Sequence, residues 1–198
     1  MIKVLDYGYV SLEEHNSEQL VWQLSGICFN REREDTVADD TLFRFIRRLL
    51  LNNERSPLEF LKLRYKIKAP IFVLRHLFRH RTANIIELSR RHTSEELEFY
   101  TPPGTDLADY YRKAVLKYSE LLEKGCPREQ ARVVLPLSLY STCYWAIDGR
   151  NLTNLLEQRT SVRAQKETRD YARAFMTEIK DEMPIFFRVL EEHLQLRR

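Results

Sequence analysis

Apolar and polar positions alternate most regularly along residues 61–69, where positions 61, 63, 65, 67 and 69 are apolar and Lys or Arg lies between them. Because successive side chains of a strand point to opposite faces, this period of two predicts a half-exposed β-strand. Residues 136–147 are rich in Tyr, Leu, Cys and Trp, which favours a second, buried strand. Residues 2–10 predict a short strand near the start of the chain.

Elsewhere apolar residues recur at spacings of three and four, the period of an amphipathic helix. Four of the predicted helices span residues 39–53, 71–78, 106–124 and 168–179. Four more are predicted to start after residues 16–17, at 127, at 151 and after Pro184. The mixed-charge run 31–35 predicts a solvated loop, and residues 79–92 predict irregular structure. Helices separated by at least two strands predict an α+β fold.

The sequence contains no internal repeat, low-complexity segment or shift in composition that marks a second domain. We therefore predict that residues 1–198 form a single domain, a length sufficient for one sizeable core.

The net charge is only +3, from 32 basic and 29 acidic residues, so no nucleic-acid partner is expected from overall charge. The three cysteines show neither a paired framework nor CxxC spacing, which suits reduced thiols. Neither a signal peptide nor a run of 18 apolar residues is present. These features predict a cytoplasmic protein without a membrane partner.

Arginines and histidines crowd residues 75–92. Like charges repel one another, so such a cluster is best tolerated beside anions, and the planar guanidinium of Arg suits phosphate. A solvated basic surface is the alternative. His76 and His80 lie four residues apart, but the HExxH pattern is absent and we predict no metal site. GxGxxG, GxxxxGK[ST] and GxSxG are also absent.

The segment RHRTANIIELSRR, residues 79–91, resembles the flavin-dependent thymidylate synthases, whose motif is Arg-His-Arg, seven residues and Ser. Three further blocks match that family in order and span most of the chain. They are SPLE at 56–59 with APIFV at 69–73, PREQAR at 127–132 with Leu-Pro at 135–136, and RNLTNLL at 150–156 with Arg159.

The resemblance implies a twisted, mainly antiparallel sheet flanked by helices. It also implies a reaction in which methylenetetrahydrofolate donates a methylene group to C5 of dUMP, reduced FAD supplies hydride, and NADPH regenerates the flavin. The expected assembly is a homotetramer whose active sites draw residues from several subunits.

The same resemblance assigns the site residues. Those expected to hold the cofactor FAD are Ser56, Arg79, His80, Arg81, Glu87, Asp148, Arg150 and Asn154. Those expected to bind the nucleotide substrate are His76, Arg79, Glu87, Ser89, Arg90, Arg91, Arg132 and Arg159. The catalytic candidates are Arg159 and Ser89. Arg159 is expected to polarise the uracil toward its N3-deprotonated form, so that no enzyme nucleophile is needed.

The chain departs from the family pattern inside the motif, at Asn84, Ile86 and His92, and beyond it at Asp148 and Arg163. The phosphate-binding arginines are present, whereas the ring-contacting positions differ. Two alternatives therefore stay open: C5-methylation of UMP or another uracil nucleotide by the same chemistry, and a non-catalytic paralogue that binds a nucleotide or nucleic acid. Phe78 is the one ring near the cluster able to stack on bases, which disfavours single-strand binding.

Overall fold

The computed structural model of the protein describes residues 1–92 and 96–196. Its centre is a five-stranded sheet in which every paired strand is antiparallel. The strands are β1 (Ile2–Val4), β2 (Gly8–His15), β3 (Lys62–Pro70), β4 (Ala83–Glu87) and β5 (Tyr140–Asp148). Their order is β1-β2-β3-β5-β4. The prediction of an α+β fold with a mainly antiparallel sheet is confirmed.

Within the described residues, eight helices accompany the sheet. They are α1 (Gln19–Ser25), α2 (Asp39–Leu51), α3 (Ile71–Leu77), α4 (Ala108–Glu123), α5 (Arg128–Ala131), α6 (Gly149–Arg159), α7 (Lys166–Glu182) and α8 (Pro184–Leu196). Short 3₁₀ turns cover Gly26–Phe29, Ser56–Phe60 and Arg132–Val134. In the part of the chain that the structure describes, no helix has the length and apolar content needed to cross a membrane.

One face of the sheet carries the core. The alternation of residues 61–69 is realised in β3, where Tyr65 and Ile67 are fully buried while Lys62 and Arg64 are exposed. Trp145 of β5 faces the same core, and Phe175 of α7 packs on both aromatic residues, with ring centroids 4.9 Å from Tyr65 and 5.4 Å from Trp145. The helices thus bury the apolar face and leave the basic face open.

The predicted strand at residues 2–10 is wrong in its bounds, because the chain turns between β1 and β2. Leu5 adopts a φ of 59° in that turn. Gly8 then begins β2 where a Cβ atom would lie 1.9 Å from the hydroxyl oxygen of Tyr171. The hydroxyl group of Tyr171 donates a hydrogen bond of 2.6 Å to the carbonyl of Lys68, so α7 approaches the hairpin too closely for a side chain at position 8.

The prediction that residues 79–92 are irregular is also wrong, because Ala83–Glu87 form β4. This strand lies at the edge of the sheet, with Ile85 36% and Ile86 76% exposed, and therefore lacks the alternation that marks a half-buried strand. Hydrogen bonding to β5 is what forms the strand β4, from Ala83 opposite Ile147 to Glu87 opposite Cys143. Tertiary context decides such a segment more than its local pattern does.

Candidate functional site

The predicted site residues lie on segments that border β5. The motif begins after α3 and continues through β4, which pairs with β5. The helix α6 follows β5 directly, and the backbone N–H of Gly149 donates to the carbonyl of Leu61, 2.8 Å away, next to the 3₁₀ turn Ser56–Phe60. The fold therefore places the Ser56–Phe60 turn and the start of α6 where β5 ends and β3 and β4 begin. The part of the motif after β4 lies instead at the start of β5, near Tyr140 and Thr142.

Asp148 caps the N-terminus of α6. Its carboxylate accepts hydrogen bonds from the backbone N–H of Asn151 at 2.9 Å and from the side-chain amide of Asn151 at 2.9 Å to each oxygen. A carboxylate at this position also interacts favourably with the positive end of the helix dipole. Asp148 is 7% exposed, so its visible role is to start α6. Its assignment to FAD remains a prediction.

The Ser56–Phe60 turn is attached to α6 by two contacts of different kinds. Arg150 of α6 forms an exposed ion pair with Glu59. The buried guanidinium of Arg55 donates from Nη1 to Oδ1 of Asn154 at 2.7 Å and from Nη2 to Oε1 of Glu157 at 2.7 Å. Three residues assigned to FAD, Ser56, Arg150 and Asn154, are therefore held on adjacent segments.

A hydrogen bond joins the motif to the end of α6. Nε of Arg159 donates to Nε2 of His80 at 3.2 Å. Burial lowers the pKa of His80 to about 4, and the positive charge of Arg159 adds to that effect. At neutral pH the imidazole is therefore uncharged, and its Nε2 accepts a hydrogen bond from Arg159, so the pair carries one positive charge.

The segment after β4 is anchored to β5. The backbone N–H of Leu88 donates to the carbonyl of Thr142 at 2.8 Å, and Nη2 of Arg90 donates to the carbonyl of Tyr140 at 2.9 Å. Arg90 is only 9% exposed, so its guanidinium helps to fix the segment as well as supplying charge. Ser89, between the two, is partly buried, and its carbonyl accepts the N–H of His92 at 3.0 Å.

Two of the predicted nucleotide-binding arginines meet at Glu129, at the start of α5. Nε of Arg91 lies 3.0 Å from Oε2 of Glu129, and Nε of Arg132 donates to the carbonyl of Glu129 at 3.3 Å. In these contacts Arg91 and Arg132 bind a residue of α5 and not of α6. Arg91 and Arg132 thus form a cationic pair at Glu129.

The remaining cations of the motif, Arg79 and Arg81, are exposed, as is Glu87. Glu87 is paired across the sheet with Cys143, whose side chain lies in the core. Burial and, to a smaller extent, the charge of Glu87 together raise the pKa of the Cys143 thiol to about 12. Cys143 therefore stays a thiol at neutral pH and cannot serve as a thiolate nucleophile.

His76 is positioned by α7, because its Nδ1 lies 3.2 Å from Oγ1 of the buried Thr168. His80 instead contacts Arg159. Among the described residues no three His, Cys, Asp or Glu side chains are grouped closely enough to hold a metal ion. His76 and His80 are thus bonded to different helices, α7 and α6.

The family model described as "Thymidylate synthase complementing protein" matches residues 10–185. The chain belongs to this family. It is 36% identical over 216 residues to the flavin-dependent thymidylate synthase of Thermus thermophilus, covering 98% of this chain and 79% of that protein. It is 35% identical over 198 residues to the one from Thermotoga neapolitana, covering 92% of this chain and 90% of that protein.

Two solved structures share the fold. One is a UMP/dUMP methylase, PolB from Streptomyces cacaoi, bound with 5-Br dUMP, with a TM-score of 0.84 and 25% identity over 96% of this chain and 97% of that one. The same protein bound with 5-Br UMP gives a TM-score of 0.79 and 26% identity, over 97% of both chains.

Sequence reasoning missed three residues that support this site: Arg55, Glu157 and His193. Glu157 lies three residues after Asn154 on α6, a spacing that places both on one face of the helix, so its position could have been noticed. Nε2 of His193 in α8 lies 2.6 Å from Oε1 of Glu157. No local pattern links residue 193 to the motif.

Proposed function

We propose that this protein is a flavin-dependent thymidylate synthase that converts dUMP to dTMP. Methylenetetrahydrofolate is the carbon donor in this proposal, and NADPH is the reductant of the flavin. Family membership over residues 10–185 and relatives at 36% and 35% identity with that name support it.

The observation that carries the proposal is the hydrogen bond between Arg159 and His80, which joins two of the matched sequence blocks. Because His80 is uncharged, Arg159 carries the only charge of the pair. A fixed guanidinium beside the uracil stabilises the negative charge that develops as C5 attacks the carbon donor. This role requires no enzyme nucleophile, in agreement with the buried, protonated thiol of Cys143.

The residues assigned to FAD offer groups that suit it. Arg79, Arg81 and Arg150 supply guanidinium groups for a pyrophosphate, and Ser56 supplies a hydroxyl. Asn154 accepts from Arg55 through its oxygen, so the group it can offer a ligand is its NH₂. When bound, the reduced flavin supplies the hydride that completes the methyl group. The chain's part is to bind and orient it.

For the nucleotide, the proposal places phosphate near the cationic pair Arg91 and Arg132 and near Arg90. Ser89 and Glu87 follow in the same segment and can form hydrogen bonds with the nucleoside. We expect Ser89→Ala to reduce activity without abolishing it, because a hydroxyl that positions the base is not a nucleophile. His76, held by Thr168, is proposed to lie at the border of this pocket.

We further propose that the protein is a homotetramer. The open face of the sheet supports this, because Ile86 is 76% and Tyr144 42% exposed where β4 and β5 pair. Exposed apolar side chains that lie together mark surfaces covered by a partner. Light scattering coupled to gel filtration measures the assembly directly. A cytoplasmic location also stays a proposal, supported by the free cysteines Cys28, Cys126 and Cys143.

The deciding experiment is an absorbance spectrum of the purified protein, with and without added FAD, followed by an assay with dUMP, methylenetetrahydrofolate and NADPH. We expect flavin absorbance and formation of dTMP that requires all three substrates. Protein that FAD cannot reconstitute, and that forms no dTMP, would overturn the proposal. Tight RNA or DNA binding with a steep salt dependence in such protein would instead favour the non-catalytic alternative.

C5-methylation of UMP is the second candidate. It is favoured by the similarity to PolB, whose structures are described as a UMP/dUMP methylase with 5-Br dUMP and 5-Br UMP. The departures at Asn84 and Ile86 lie within the motif, where a change can alter which sugar is accepted. Comparing kcat/KM for dUMP and UMP separates the two candidates, since a synthase for dTMP discriminates against the 2′-hydroxyl group.

A further inference from the structure

We propose that Arg55, Glu157 and His193 form a buried positioning network that fixes the flavin-facing amide of Asn154 and the adjacent Ser56–Phe60 turn. The inference rests on the proposed function, because it assumes that Asn154 and Ser56 contact FAD. Arg55 and His193 lie outside the four blocks that carry the family resemblance, and Glu157 lies between the matched residues 150–156 and Arg159.

The network is continuous from the turn to the last helix. Arg55 contacts both oxygens of Glu157, through Nη2 at 2.7 Å and Nη1 at 3.3 Å. His193 lies 2.6 Å from the first of these oxygens. The side chains of Arg55 and His193 are each 7% exposed and that of Glu157 is 13% exposed. Water therefore competes little for these hydrogen bonds, and each group depends on the others.

Arg55 is well placed to control the turn because its backbone belongs to it. Its carbonyl accepts the N–H of Leu58 at 3.1 Å, and Ser56 follows it directly. The guanidinium is held by α6, so Arg55, which directly precedes Ser56, cannot move relative to α6 without breaking a buried ion pair. The leucines of α6 next to these polar residues, Leu152, Leu155 and Leu156, are fully buried and hold the helix in the core.

The hydrogen bond from Arg55 also determines which way the Asn154 amide faces. A guanidinium can only donate, so the group of Asn154 that it contacts must be the oxygen. The NH₂ group then points away from Arg55. Without Arg55 the amide is free to rotate by 180° and to present its oxygen, an acceptor, to the anionic cofactor.

His193 extends this control to α8. Its Nε2 must carry a proton to donate to the carboxylate of Glu157, which both the imidazolium ion and one neutral tautomer provide. The helix α8, which is far from the motif in sequence, thus helps to fix the Arg55–Glu157 ion pair and the Asn154 amide. Glu192, the neighbour of His193, instead pairs with Arg47 of α2 at 2.7 Å.

The test compares three variants of the full-length protein. His193→Leu removes the donor, His193→Gln keeps an amide N–H near the position of Nε2, and Glu192→Gln removes the neighbouring ion pair on the same helix. We expect His193→Leu to raise the dissociation constant for FAD about tenfold, the effect of losing one hydrogen bond. His193→Gln and Glu192→Gln should bind FAD as the wild type does.

A second readout separates positioning from general loss of structure. Hydrogen exchange of the flavin-free protein should quicken in the Ser56–Phe60 turn of His193→Leu, and not in β1 or β2. The KM for dUMP should stay constant while saturation with FAD restores kcat. Equal FAD affinity in His193→Leu and the wild type would overturn the positioning proposal alone. A wild-type protein that binds no FAD would overturn the proposed function instead.

Discussion

The two halves of the candidate site are built differently. On the α6 side, Arg55, Asn154, Glu157 and His193 are buried and bonded to one another. On the motif side, Arg79 and Arg81 are exposed in a segment crowded with other cations. A buried network is organised before any ligand arrives, whereas clustered exposed cations repel one another until an anion neutralises them. The first half therefore contributes to stability as well as to positioning, whereas the second contributes mainly to ligand binding.

The largest effect should come from breaking the buried half. Glu157→Ala leaves Arg55 buried without its carboxylate, and removing one partner of a buried ion pair costs roughly 3–5 kcal/mol. We expect the free energy of unfolding to fall by about that amount in urea denaturation at a fixed protein concentration. Glu157→Gln keeps hydrogen-bonding atoms and should lose less. A change below about 1 kcal/mol in Glu157→Ala would show that Arg55 relaxes into solvent.

The second effect concerns catalysis and not folding. Arg159→Ala should lower kcat for dTMP formation by roughly a hundredfold or more, on the scale of losing a donor that stabilises developing negative charge. Arg173→Ala, an exposed arginine on α7 outside the site, is the matched control and should keep full activity. Arg159→Ala with wild-type turnover would remove Arg159 from the chemistry.

The third effect is a pH dependence at the junction of the two halves. The pKa of His80 is about 4 in the folded protein, below its ordinary value of 6.5. The unfolded chain then binds more protons between these values, so stability is complete above pH 6.5 and is lost as the pH falls toward 4. At pH 5 the loss should be about 1 kcal/mol, since part of the ring is solvated.

His80→Gln provides the comparison, because a glutamine oxygen can accept from Arg159 and does not titrate. As the pH falls from 7 to 5, the free energy of unfolding of the wild type should therefore fall more than that of His80→Gln. Parallel stability curves for the two proteins over this range would show that His80 is protonated in the folded state without penalty.

The motif half was much easier to predict from the sequence than the α6 half. The family pattern places Arg79 to Arg91 by their spacing alone, and β3 reveals itself because one of its faces is buried. Arg55 and Glu157 are 102 residues apart, and Glu157 and His193 are 36 apart, so only the fold brings them together. Buried polar partners of this kind carry no local period.

Two local features were not predicted, for different reasons. The helix α6 was expected from Asn151, whereas it begins at Gly149 because Asp148 caps it. An Asp before a helix is a recognised N-cap signal, so this start could have been read from the sequence. The strand β4 could not, because both of its faces are largely exposed and pairing with β5 is what forms it.

The smallest effect should come from the second link between the Ser56–Phe60 turn and α6, the ion pair of Arg150 with Glu59. Both side chains are about half exposed, at 45% and 44%, so water screens their attraction. Glu59→Gln should therefore change the free energy of unfolding by less than about 1 kcal/mol. It should also leave Arg150 freer to meet an anion, so FAD affinity should stay equal or rise slightly. If Glu59→Gln destabilised the protein as much as Glu157→Ala, burial would not be what distinguishes the two links, and the contrast between the two halves of the site would fail.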